Sequence, residues 1–179
     1  MKILMLLLII ILAYKKSFSQ FEPDTSINKK VYLLNSKSIK KEFGDLMSSL
    51  NKNESLPDIY FSSKNNHEYL RLIFHPGDFK NSFAMFEVGY ISPKIRVNNI
   101  LKYEKFYTEH NIRLGMSRKS FLNIMKNHVK KMKVEDSYIL RLENANNPFL
   151  EMYGLPVYEA KYTFKNNLLI NFYFGFEYP

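Results

Sequence analysis

The run from Val157 to Glu177 limits what this chain can fold into more than any other stretch. Tyr158, Ala160, Tyr162 and Phe164 alternate with Val157, Glu159, Lys161 and Thr163, and Lys165-Asn166-Asn167 follows as a tight turn. Beyond it Leu168, Ile170, Phe172, Phe174 and Phe176 recur at every second position. Successive strand residues point to opposite faces, so this is a β-hairpin with one apolar and one mixed polar face. A lone hairpin is barely stable in water; this one demands further strands and a cover for its aromatic side.

Other segments supply them. Ile39, Phe43, Leu46, Met47 and Leu50 fall on one face of a helix over 36–50, with Asn35 or Ser36 as N-cap. Ile59–Phe61, Tyr69–His75 and Phe83–Ile91 read as strands, the last two joined by Pro76-Gly77-Asp78. The order then returns. Phe121, Met125, Val129 and Met132 share one face of a helix capped by Ser117, and Tyr138–Leu142 is a strand before the hairpin. The segment from Asn144 to Pro156 reads as a turn cluster and a less regular connection. Phe86 to Pro93 and Phe172 to Pro179 both fit Phe-x-x-Gly-aromatic-x-x-Pro. A duplication explains this, as does coincidence on aromatic-rich strands. The expected fold is α+β: two tandem helix-plus-three-strand repeats (31–93 and 112–179, connector 94–111) forming one antiparallel sheet, with the helices packed on one face.

Ahead of this domain, Lys2 precedes an unbroken apolar run from Ile3 to Ala13. Such a run spans about 16 Å as a helix, half of a hydrocarbon core, which suits a signal peptide better than a transmembrane helix. Ser17-Phe18-Ser19 gives a small-x-small cleavage pattern, with the cut near Ser19-Gln20. Residues 1–19 are thus expected to be a signal peptide, 20–30 a flexible leader, and the protein periplasmic or secreted. Removing 1–19 takes three of the 26 Lys+Arg and none of the 17 Asp+Glu, leaving 23 − 17 = +6. There is no cysteine, so no disulfide and no lipidated Cys. No second apolar run long enough to cross a membrane follows.

Ile112-Arg113-Leu114-Gly115-Met116-Ser117, entering the second helix, resembles the strand-to-helix entry of the small outer-membrane assembly lipoproteins of the SmpA/OmlA type. Those share a helix-plus-three-strand plan with the tandem-repeat β-lactamase inhibitor proteins (BLIP-like). The chain departs from them in lacking the Leu-Gly-x-Pro that often ends the helix; Asn127-His128-Val129-Lys130 stands there. The resemblance implies a non-catalytic protein that binds other proteins, with the concave sheet face as binding surface. On that implication Tyr69, Arg71, Tyr90 and Tyr173 are the candidate binding residues.

Patterns that carry chemistry are sparse. His67, His75, His110 and His128 show no ligand spacing, so no metal or other cofactor is expected. No nucleophile elbow, catalytic cysteine or glycine-rich phosphate loop occurs. Arg118, Lys119, Lys126, Lys130, Lys131 and Lys133 give the second helix a basic face, a candidate for anionic lipid or an acidic partner. Nucleic acid is not expected as a partner. The leading expectation is an exported, non-catalytic protein-binding module whose partner is another protein of the cell envelope or exterior. Its rivals are an envelope hydrolase built from dispersed residues such as His67, His75, Glu87 and Glu159, and a peripheral binder of anionic lipid.

Overall fold

The computed structural model describes residues 21–46, 58–74, 83–132, 135–144 and 146–177. A two-residue ribbon, β1 (Ser26–Ile27) with β2 (Val31–Tyr32), precedes helix α1 (Ser36–Phe43). Then come β3 (Asp58–Ser62), β4 (Glu68–Phe74), β5 (Phe83–Tyr90) and the short β6 (Asn99–Ile100). Helix α2 (Arg118–Met125), β7 (Lys130–Lys131), β8 (Ser137–Leu142), helix α3 (Pro148–Tyr153), β9 (Val157–Lys165) and β10 (Leu168–Glu177) complete the described elements. The large sheet has eight strands in the order β6-β3-β4-β5-β10-β9-β8-β7. Two antiparallel meanders, β3-β4-β5 and β8-β9-β10, meet where β5 pairs with β10.

This is a mostly β protein, which corrects the expected α+β plan of two helix-plus-three-strand repeats with helices packed across the sheet. Among the described residues there are ten strands and only three short helices. The helices stop early for local reasons. Gly44 at φ 76° caps α1, its N–H donating to Lys40 O. Lys126 at φ 46° ends α2, its N–H donating to Leu122 O, and after one 3₁₀ turn the chain joins the sheet edge as β7. Lys130 and Lys131 thus pair with Ile139 and Tyr138 rather than extending a helix. Met47 and Leu50 lie outside the described residues. Helix α3 was hidden in the irregular connection, although Asn147 as N-cap, Pro148 in the first turn and left-handed Gly154 mark its ends.

The inner sheet face is aromatic. Phe61, Phe74, Phe86, Tyr158, Tyr162, Phe172, Phe174 and Phe176 are all buried there. Loop residues Phe106, Ile112 and Leu114 and the ribbon's Ile27, Val31 and Leu33 cover it together with Ile39 of α1, Phe121 and Met125 of α2, and Leu150 of α3. In the last hairpin a register shift between Leu169 and Asn171 turns Leu169 inward and leaves Leu168 exposed, against the simple alternation.

The segment 20–30, expected as a loose leader, is built into the fold in its described part. Asp24, Ser26, Ile27 and Asn28 are buried. Tyr158 Oη donates to Asp24 O at 2.7 Å, and Thr25 N–H and Oγ1 both donate to the Glu109 carboxylate. Phe21 stacks between His128 and His110, with centroids at 4.3 and 5.1 Å. Asp24, only 1 % exposed, accepts from the His110 backbone and lies 2.8 Å from its Nδ1. That hydrogen bond lifts the His110 pKa above its ordinary value, outweighing burial, which pulls it down. A raised folded-state pKa stabilises fully below the unfolded imidazole value, about 6.5, and the contribution fades as pH rises through the folded one. The melting temperature should therefore fall between about pH 6 and pH 8, and less steeply in His110→Asn. Equal slopes in thermal melts of the two proteins would remove this latch.

Candidate functional site

Between the register shifts, which put Phe83 and Leu169 in the core, the odd-numbered residues of β4, β5, β9 and β10 point away from it. Their side chains form two hydrogen-bonded clusters on the outer sheet face, one over each meander.

The first cluster surrounds Arg71. Its Nε donates to Asp58 Oδ2 at 2.6 Å and its Nη1 to Glu87 Oε2 at 3.0 Å, while the guanidinium lies 5.5 Å above the Tyr60 ring centroid. Tyr69 Oη donates to Glu87 Oε1 at 2.6 Å, and Asn171 Nδ2 reaches both Glu87 Oε1 and Tyr69 Oη. This last contact crosses a whole strand, and the register explains it. Tyr69 pairs with Gly89, and Gly89 with Asn171. With no side chain on Gly89, the tyrosine lies flat over β5; a Cβ there would sit 2.6 Å from its ring.

The second cluster surrounds Arg141. Its Nη1 meets Glu159 Oε2 at 2.5 Å and Glu177 Oε2 at 2.9 Å, and its Nε donates to Glu143 Oε2 at 2.9 Å. Tyr173 Oη donates to Glu159 Oε1 at 2.5 Å. The two clusters mirror each other with roles exchanged. In the first, β4 gives the tyrosine and β5 the glutamate; in the second, β9 gives the glutamate and β10 the tyrosine. Tyr69 faces Gly89 as Glu159 faces Gly175, and Glu87 faces Tyr173 directly across the seam between the meanders.

Electrostatics follow from this packing. Burial and then the hydrogen bond to Glu87 push the Tyr69 phenol well above its ordinary pKa, and burial and Glu159 do the same to Tyr173. Burial opposes the Arg71 charge, but Glu87 and Asp58 more than reverse this and hold its pKa up. Both tyrosines are thus neutral donors and both arginines permanent cations at physiological pH. The arrangement suits recognition by hydrogen bonds, charge and ring faces.

Of the four residues nominated from the sequence, the structure brings three together. Tyr69, Arg71 and Tyr173 share the outer face, while Tyr90 does not. Tyr90 ends β5 with core-side parity and half exposed, beside the Gly115 turn. Tyr69 is only 7 % exposed, so it positions Glu87 and Asn171 more than it offers contact area. Sequence reading missed Asp58, Tyr60, Glu87 as a binding group, Asn171 and Arg141. Strand parity placed Arg141 and Glu159 within reach of one another only once the β8·β9 register was fixed, with Arg141 opposite Glu159.

The basic residues do not form one helix face. Arg118 pairs with Asp136 and lies over the Phe164 ring. Lys119 is in the first turn of α2, Lys126 is its C-cap, and Lys130 and Lys131 are exposed on the edge strand, where charge discourages pairing with another chain. Lys133 lies outside the described residues. So does His75 of the dispersed hydrolase set; Glu87 and Glu159 are engaged on the outer face, and His67 borders a separate groove with Glu68 and Tyr90. Among the described residues no His, Asp or Glu cluster has a metal-binding arrangement, and no helix is long and apolar enough to cross a membrane.

That groove, of about 510 Å³, runs between the Glu68 end of β4 and the turn Gly115-Met116-Ser117. Gly115 takes φ +75°, and Ser117 Oγ caps α2 by accepting from Ser120 N–H. A comparison with family models, with curated proteins and with solved structures finds no match to the chain.

Proposed function

We propose that the chain is an exported, non-catalytic protein-binding module that presents the outer face of its sheet to another protein of the cell envelope or exterior. Residues 1–19, read as a signal peptide, support export. One observation carries the binding role: Arg71 and Tyr173 stand on one uninterrupted sheet face and are held by Glu87 and Glu159 before any partner arrives. Side chains fixed in advance lose little rotamer freedom on binding, and Tyr and Arg are the residue types that dominate hot spots. The resemblance at Gly115-Met116-Ser117 points to the same class of activity.

Cross-linked pull-down of the tagged protein from its native envelope should recover one near-stoichiometric partner. Arg71→Ala and Tyr173→Ala should each weaken that complex by about tenfold or more, the size expected at a hot spot. Full retention of the partner by both variants, with the fold intact by circular dichroism, would move the interface elsewhere. Recovery of no partner would remove the reading itself.

A further inference from the structure

We propose that the groove between the Glu68 end of β4 and the Gly115 turn binds an anionic saccharide, a sugar ring bearing a carboxylate or a phosphate. Glu68 is only 4 % exposed although it is a carboxylate. Its Oε2 accepts from the Phe106 backbone N–H at 2.8 Å. Glu68 lines the groove, and its Oε1 is reached by no hydrogen bond among the described residues while staying open to solvent. An open carboxylate oxygen at the groove can accept from an incoming donor such as a hydroxyl.

The rim makes the opposite demand. Lys105 and Arg113 are exposed at the groove and neither forms an ion pair among the described residues. Two exposed cations beside an open acceptor suit a ligand that carries hydroxyl donors and a negative charge together. Tyr90 supplies a third element. Its ring is 46 % exposed and its Oη lies 3.4 Å from where a Cβ on Gly115 would stand. A half-exposed aromatic plane is a platform for the apolar face of a sugar ring. Gly115 keeps that plane close to the groove floor, and Ser117 adds a hydroxyl at the start of α2. The volume is within the usual range for a small-molecule site and holds one or two rings. This site lies apart from the outer sheet face and stands whether or not that face binds a protein.

The test is titration of the full chain with glucuronate and with glucose 6-phosphate, against glucose and inorganic phosphate, followed by amide chemical shifts and calorimetry. At least one anionic sugar should bind with Kd of about 1 mM or tighter, at least about tenfold tighter than glucose or phosphate, and shift the Tyr90, Gly115 and Ser117 amides. Whichever arm binds tighter identifies the charged group. Arg113→Gln and Tyr90→Ala change exposed side chains and should each weaken binding by about fivefold or more. Glu68→Gln keeps an oxygen for Phe106 and should weaken it too; if that variant misfolds, the two exposed ones decide. Binding of inorganic phosphate as tight as that of the sugar phosphate, no shift at about 50 mM of either sugar, or unchanged affinity in Arg113→Gln and Tyr90→Ala would each overturn the proposal.

Discussion

Gly175→Ala should destabilise the protein by about 3 kcal/mol or more, enough to consume much of the stability of an ordinary domain. A Cβ on Gly175 would stand 2.2 Å from Ala84 O and 2.5 Å from Met85 Cα, both backbone atoms of the neighbouring strand. Neither can swing aside, and Gly175 also holds φ +156°, where side chains are rarely tolerated. To admit the methyl group β10 must part from β5, and that pairing is the joint between the meanders. Gly89→Ala is the control. Its Cβ would also fall within 3 Å of other atoms, but those atoms are the outer end of the Tyr69 ring, which can rotate away. Denaturant melts should show a large loss for Gly175→Ala and a smaller one for Gly89→Ala, which releases Tyr69 from Asn171 and disturbs the outer face. Similar losses in the two variants would mean that the seam is more compliant than its geometry indicates.

Phe121→Ala should cost about 3–5 kcal/mol, the usual range for removing a fully buried phenylalanine. Its ring packs against Tyr162 at 4.7 Å, Phe164 at 5.2 Å and Tyr138 at 5.7 Å. Three aromatic neighbours on two strands cannot collapse into the space without breaking their own contacts with one another. Helix α2 has only eight residues and Met125 as its other buried anchor, so losing Phe121 should also free the helix from the sheet. The same truncation at Met152 of α3, 76 % exposed, should change stability by about 0.5 kcal/mol or less. Thermal and urea denaturation of the two variants side by side measure this directly; a small effect at Phe121 would show that the aromatic cluster repacks.

The strands were legible in the sequence because period-two alternation is a local signal. Tyr158, Tyr162, Phe172, Phe174 and Phe176 all occupy the core as their spacing requires. Helix lengths were not legible. Val129 and Met132 continue the period of Phe121 and Met125, yet a single positive-φ residue, Lys126, ends the helix without the glycine that usually announces it. The role of Asp24 was equally silent: a polar segment rich in turn residues reads as loose until its hydrogen bonds to Glu109, His110 and Tyr158, all more than eighty positions away, are known. The outer-face residues follow the same rule. Tyr69, Arg71 and Tyr173 were found from parity and a resemblance, whereas the Tyr69–Gly89–Asn171 row depends on the pairing of three strands. Tyr90 failed as an outer-face residue because parity puts it on the opposite side from Tyr69 and Arg71.

The strand order also bears on how the protein is made. β10 is the last described strand to leave the ribosome, yet it lies at the middle of the sheet, between β5 and β9. Throughout synthesis β5 must wait with one edge unpaired, since Gly89 meets Asn171 only after all the intervening residues have appeared. Closing so long a loop before any pairing energy returns is slow. The nascent protein is thereby kept from completing its sheet until nearly all of the described chain is available.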